Sequence, residues 1–140
     1  MRPTPLLVAV VAVGGALGTG GRYAVAHLSP ATHDIPWPTL IVNIVGAFLL
    51  GLLLEALLRA GAETSRIRLA RLALGTGVLG GFTTYSALAL ELHELLADGR
   101  FGTAVGYGLG SVSAGLLACV LGIVAGSRIT HGSAHRGRPS

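Results

Sequence analysis

The chain has 140 residues, of which 51% are hydrophobic and 11% charged, with a net charge of +4 and a mean hydropathy of +0.71. The charged share is about half that of an ordinary soluble domain, which excludes a water-soluble fold of this size and makes lipid the matching solvent. The basic balance is not a nucleic-acid footprint, because every Lys+Arg position is an arginine and these lie between apolar runs rather than in one patch.

The first apolar run extends from Leu6 to Leu28, interrupted only by Arg22. A helix needs about 20 residues to cross the hydrocarbon layer, so residues 6–28 are read as a span. A signal peptide after Met1-Arg2 is the other reading, but the stretch exceeds the usual core of about 7–15 residues and three more runs follow. The run carries Gly14-Gly15-Ala16-Leu17-Gly18-Thr19-Gly20-Gly21-Arg22-Tyr23. Arg22 brings a permanent charge and a fork of donors to the membrane edge. It reads either as an attractor of anions or as a snorkelling arginine. The glycines do not form a dinucleotide motif, because no strand precedes them. Pro30, Pro36 and Pro38 then mark a turn, since proline lacks the donor a helix interior requires.

The second run is Trp37–Leu58, with Glu55 near its end. Within Pro38-Thr39-Leu40-Ile41-Val42-Asn43-Ile44-Val45-Gly46-Ala47-Phe48, the Asn43 amide places two donors and an acceptor near mid-membrane. It serves either a transport path or an interhelical hydrogen bond.

The third run starts at Leu69, has no charge from Leu72 to Leu90, and is assigned to residues 69–95. Gly75-Thr76-Gly77-Val78-Leu79-Gly80-Gly81-Phe82-Thr83-Thr84-Tyr85-Ser86 makes a poor continuous helix. A break is expected there, with a kinked helix as the other reading. Broken backbone at membrane depth survives only when buried in protein or lining a wet cavity. Its freed carbonyls bind cations and its freed amides bind anions.

The fourth run is Phe101 to about Ala125, assigned to residues 101–126. Gly102, Gly106, Gly110, Ala114, Ala118, Gly122 and Gly126 recur every fourth residue. Such a stripe permits close backbone packing, either within the chain or between subunits. Cys119 lies in this apolar run and reads as a small core residue. Residues 129–140 form a polar tail expected to be disordered, where the spacing of His131 and His135 is a weak metal signal. The fold class is therefore an all-α integral membrane protein of four transmembrane helices, the third broken mid-membrane, over residues 1–128.

Arginine placement orients the spans. Arg2, Arg59, Arg66, Arg68, Arg71, Arg128, Arg136 and Arg138 fall on one side, and Arg100 on the other. The positive-inside rule assigns both termini and the middle loop to the cytoplasm.

Taken together, Gly20-Gly21-Arg22-Tyr23, Pro38-Thr39-Leu40 with Asn43 and Gly46-Ala47-Phe48, and Gly80-Gly81-Phe82-Thr83-Thr84-Tyr85-Ser86 with Glu91 resemble the Fluc/CrcB family of bacterial fluoride channels. Asp98-Gly99-Arg100-Phe101-Gly102 and Tyr107 extend the resemblance into the fourth span. It implies an antiparallel, dual-topology-type dimer in the bacterial plasma membrane, surrounded by lipid, with two fluoride pathways. It implies a structural sodium ion held by the backbone carbonyls of Gly80 and Thr83 from both subunits. Asn43, Tyr85, Ser86, Leu88, Tyr107 and Ser111 would line the pathway, with Arg22 near its vestibule. The expected activity is passive fluoride export that relieves fluoride toxicity, with no catalysis.

The chain also departs from the family pattern. A Thr-Thr-Phe-Ser-Thr-Phe motif becomes Thr83-Thr84-Tyr85-Ser86-Ala87-Leu88, so one of two fluoride-flanking rings is lost. A ring edge is electropositive and faces an anion; Leu88 has none. One pathway is therefore expected to be weak or dead. With the one-sided arginines, this suggests a heterodimer with a paralogue of opposite bias. Two rival readings are a non-conducting structural subunit and a small multidrug/proton antiporter. The antiporter needs a carboxylate deep in a span, and the first span has none.

Overall fold

The computed structural model describes residues 4–28 and 35–134, and the side chains of residues 4–28 and 35–128. Pro30, Arg2, Arg136, Arg138 and His135 lie outside the described residues, and of the His131 side chain nothing is described.

Helix α1 (Pro5–Leu28) starts with proline at a position whose N–H would be unpaired in any case. Helix α2 (Trp37–Arg59) begins the same way, with Pro38 in its first turn. It ends through Ala60 into Gly61, whose φ of 89° suits a residue without a Cβ. Helix α3 (Ser65–Ala70) is capped by Thr64, whose hydroxyl accepts from the Ile67 N–H. It runs directly into a π-helical segment, Arg71–Leu79, in which the Gly80 N–H reaches back five residues to the Gly75 carbonyl. A single turn, α4 (Gly80–Phe82), follows. Thr83 (φ −78°, ψ 158°) and Thr84 (φ −148°, ψ 122°) are extended, and helix α5 (Tyr85–Ala97) resumes the path. The last turn of α5 closes as a Schellman motif: Arg100 N–H bonds Leu95 O, Gly99 N–H bonds Leu96 O, and Gly99 has φ 72°. Helix α6 (Phe101–Ala134) completes the chain.

Among the described residues helix is the only regular structure. Four segments are long and apolar enough to cross a membrane: Pro5–Leu28, Trp37–Arg59, Ser65–Ala97 and Phe101–Arg128. The third starts earlier than the expected Leu69, because the Thr64 cap nucleates a polar first turn. The fourth helix extends to Ala134, past its expected end. No proline interrupts it, and the Ser127 hydroxyl satisfies the Val124 carbonyl one turn back.

The segments pack as two interleaved pairs. Helix α1 lies against the π-helical segment and α4, while α2 lies against α6. Glycine makes both contacts possible. A Cβ on Gly14 would meet the Ala73 carbonyl at 2.7 Å, one on Gly18 would collide with the Val78 carbonyl, and one on Gly81 with Gly15. In the other pair, Gly51 sits on the Cys119 carbonyl and Gly122 on the Phe48 carbonyl. Gly14 and Gly18, four residues apart in the first span, thus make an intrachain contact. The stripe of the fourth span divides: its Gly122 end is buried on α2, while Gly102, Gly106 and Gly110 face open space. Large apolar side chains cover the outside, from Leu6 and Val13 to Leu109, Leu116 and Leu121, as lipid contact requires.

Candidate functional site

Extended backbone at Thr83–Thr84 leaves peptide groups that a helix would have paired. Asn43 on α2 takes up one set: its Nδ2 donates to the Thr84 carbonyl (2.9 Å), and its Oδ1 accepts from the Thr84 N–H (2.8 Å). The Thr84 hydroxyl accepts from Ala87 N–H (3.1 Å), capping α5, and lies 3.2 Å from the Ser86 hydroxyl. Thr83 Oγ1 donates back to the Leu79 carbonyl (2.9 Å), as does the Thr83 N–H (3.0 Å). In a continuous helix the Thr84 N–H would bond Gly80 O, and the Ala87 N–H would bond Thr83 O. Asn43 and the Thr84 hydroxyl hold those two donors instead.

Beside this interruption lies an open cleft of about 270 Å³, lined by Asn43, Thr83, Thr84, Tyr85, Leu88 and Ser111 among others. A second cleft of about 390 Å³ runs along α6 and includes Tyr107, Thr103 and Trp37. Ser111 lines both. Its residue is 6% exposed, and among the described residues its hydroxyl makes no hydrogen bond of good geometry, with the Tyr107 hydroxyl as a polar neighbour. A buried hydroxyl without a well-formed hydrogen bond is costly unless something else occupies it. Above it Tyr107 donates to Glu91 Oε2 (2.7 Å), and Thr39 donates to Glu91 Oε1.

The clefts therefore gather Asn43, Tyr85, Leu88, Tyr107 and Ser111 around the interruption. Ser86 contributes through Thr84 rather than by lining a cleft. Arg22 is apart from them: it is half-buried on α1 and lines neither cleft. Leu88 is mostly buried, packed with Leu95, Ala104 and Tyr107. Tyr85 edges the smaller cleft and is 83% exposed, its phenol left largely uncovered by its own chain. Sequence reading passed over Thr39, Thr84 and Glu91 as site residues. Glu91 was the available signal, a carboxylate that a membrane segment carries only with partners.

Four apolar crossing segments, with a hydroxyl- and amide-lined cleft beside interrupted backbone, define a small multi-pass membrane protein. The sequence model of the CrcB-like protein family, Camphor Resistance (CrcB), matches residues 9–123. The chain belongs to the CrcB family. It is 48% identical over 114 residues to "Fluoride-specific ion channel FluC 1" of Cutibacterium acnes, covering 81% of this chain and 80% of that one. It is 42% identical over 120 residues to "Fluoride-specific ion channel FluC 2" of Leifsonia xyli subsp. xyli, covering 86% and 83%. It is 43% identical over 119 residues to "Fluoride-specific ion channel FluC" of Novosphingobium aromaticivorans, covering 82% and 91%.

Proposed function

We propose that this chain is a subunit of a fluoride-specific channel, passing fluoride passively along the line Asn43–Ser111–Tyr107 in an antiparallel dimer. The observation that carries the reading is the buried Ser111 hydroxyl, shared by two clefts and without a well-formed hydrogen bond among the described residues, in a chain whose relatives are named fluoride-specific ion channels. Fluoride holds its water tightly, so a pathway must replace that shell with close donors. The Ser111 hydroxyl is such a donor, and Asn43 Nδ2 has a second hydrogen beyond the one given to Thr84. The mid-membrane break belongs to this reading: the interruption at Thr83–Thr84 sits between long apolar stretches of one crossing segment.

A sodium ion between two subunits fits the donor set. The Gly80 and Thr83 carbonyls are the two whose helical donors are diverted to Asn43 Oδ1 and Thr84 Oγ1. Unwound carbonyls suit a hard cation such as sodium, which would add a fixed positive field to the site. Asn43 thus acts twice, edging the pathway and diverting the Thr84 N–H from the Gly80 carbonyl. The exposed Tyr85 supports a second subunit as well, since a phenol is better placed against protein than in hydrocarbon.

Eight arginines on one side against Arg100 on the other support one insertion orientation, with both termini cytoplasmic. An antiparallel partner is then a paralogue with the opposite bias. The deciding experiment is fluoride efflux from liposomes, followed with a fluoride electrode, for this protein alone and together with its paralogue. Efflux only from the pair supports the heterodimer. Robust efflux from the lone protein refutes the obligate pair, and efflux from neither refutes the channel reading. The loss of a ring at Leu88 favours one second reading, a non-conducting structural subunit. In that case, mutating Asn43 and Ser111 here would leave flux through the pair unchanged.

A further inference from the structure

A third groove, far from the clefts along α6, opens between α1 and the start of the third segment. It has a volume of about 430 Å³ and is lined by Leu7, Val8, Val11, Ala12, Leu72 and Arg68. The floor is set by glycine: Gly14 and Gly77 bring the two backbones together just past it. Toward the helix end the backbones are no longer held together by glycine, and the wall residues are aliphatic. Arg68 and Leu72 are one turn apart on the same face, so the single charge stands over an otherwise hydrocarbon slot.

The charge in this region is divided. Arg59 pairs with Glu55, and Arg71 pairs with Glu63 at 2.6 Å. Arg68 is half-buried and has no carboxylate partner among the described residues. A half-buried guanidinium at the end of a membrane segment is satisfied by an anion at the headgroup level, and the slot beside it accepts an acyl chain. Zwitterionic lipid offers the chain without the net charge. A free phosphate offers the charge without the chain.

We infer that the α1–α3 groove is a binding site for one anionic phospholipid, its headgroup phosphate on Arg68 and an acyl chain along Val8, Val11 and Leu72. The site is independent of the ion pathway and requires only that the protein span a bilayer. It stands or falls separately from the channel reading.

Native mass spectrometry of the purified full-length protein, with phosphatidylglycerol or phosphatidylcholine added in matched amounts, tests it. Wild type retains phosphatidylglycerol over phosphatidylcholine by about fivefold, the factor expected for one basic residue at a membrane surface. Arg68→Gln abolishes that preference. Val11→Trp fills the slot and lowers retention of both lipids, while Arg66→Gln, outside the lining, leaves the preference intact. Inorganic phosphate at millimolar concentration does not compete. Equal retention of the two lipids by wild type would overturn the proposal. So would a preference that survives Arg68→Gln, an equal loss in Arg66→Gln, or displacement by phosphate alone. Arg68→Gln removes no packing contact of the core, so it keeps the experiment decisive if Val11→Trp fails to fold.

Discussion

Ser111 separates two demands that usually overlap, those of folding and those of transport. Its hydroxyl makes no well-formed hydrogen bond among the described residues, so Ser111→Ala leaves thermal stability unchanged or slightly raised. A hydrogen bond to a charged group is worth about 1.5–3 kcal/mol, so the same change slows fluoride efflux by about tenfold or more. A melting curve and an efflux trace on one preparation check both halves. Asn43 behaves oppositely, because its amide pairs both backbone groups of Thr84. Asn43→Ala strands them in a buried place at about 1–3 kcal/mol each, so the melting midpoint falls together with efflux. Leu88→Phe returns a ring to a position packed by Leu95 and Ala104 but edged by the open cleft beside Asn43. Overpacking costs about 1–3 kcal/mol, and fluoride efflux from the reconstituted pair rises if the absent ring is what limits it.

At the scale of elements, the glycines are the informative residues, and here sequence and structure part company. The fourfold spacing along α6 was legible, but its use was not, because spacing fixes a face and not what covers it. In the fold that face changes partner along its length: Gly122 lies on the Phe48 carbonyl, while Gly106 meets nothing. Gly122→Ala therefore lowers the melting midpoint, at a cost of about 2 kcal/mol, while Gly106→Ala leaves the isolated chain's stability unchanged. Should the open half be the partner face, size-exclusion chromatography shows Gly106→Ala shifting toward monomer. The third segment was legible as a weak helix from its glycines and paired threonines. That Asn43 on another helix would pair the Thr84 backbone was not, since such a bond joins residues 41 positions apart. The Glu91 cluster was missed for the same reason: its partners Thr39 and Tyr107 lie on two other helices.

For the whole molecule, hydropathy alone located the four crossing segments, because the cost of unpaired backbone in lipid leaves few options. It could not say which segment touches which. The order in space, α1 on the third segment and α2 on α6, rests on small residues whose spacing was legible but whose partners were not. That interleaving constrains synthesis. A ribosome releases α1 and α2 first, yet neither has its main glycine-fitted neighbour until later sequence arrives. The early hairpin must wait in the translocon or in lipid as two loosely associated rods. A nascent chain halted before Phe101 would leave α2 with its docking face bare, a natural target for membrane proteases.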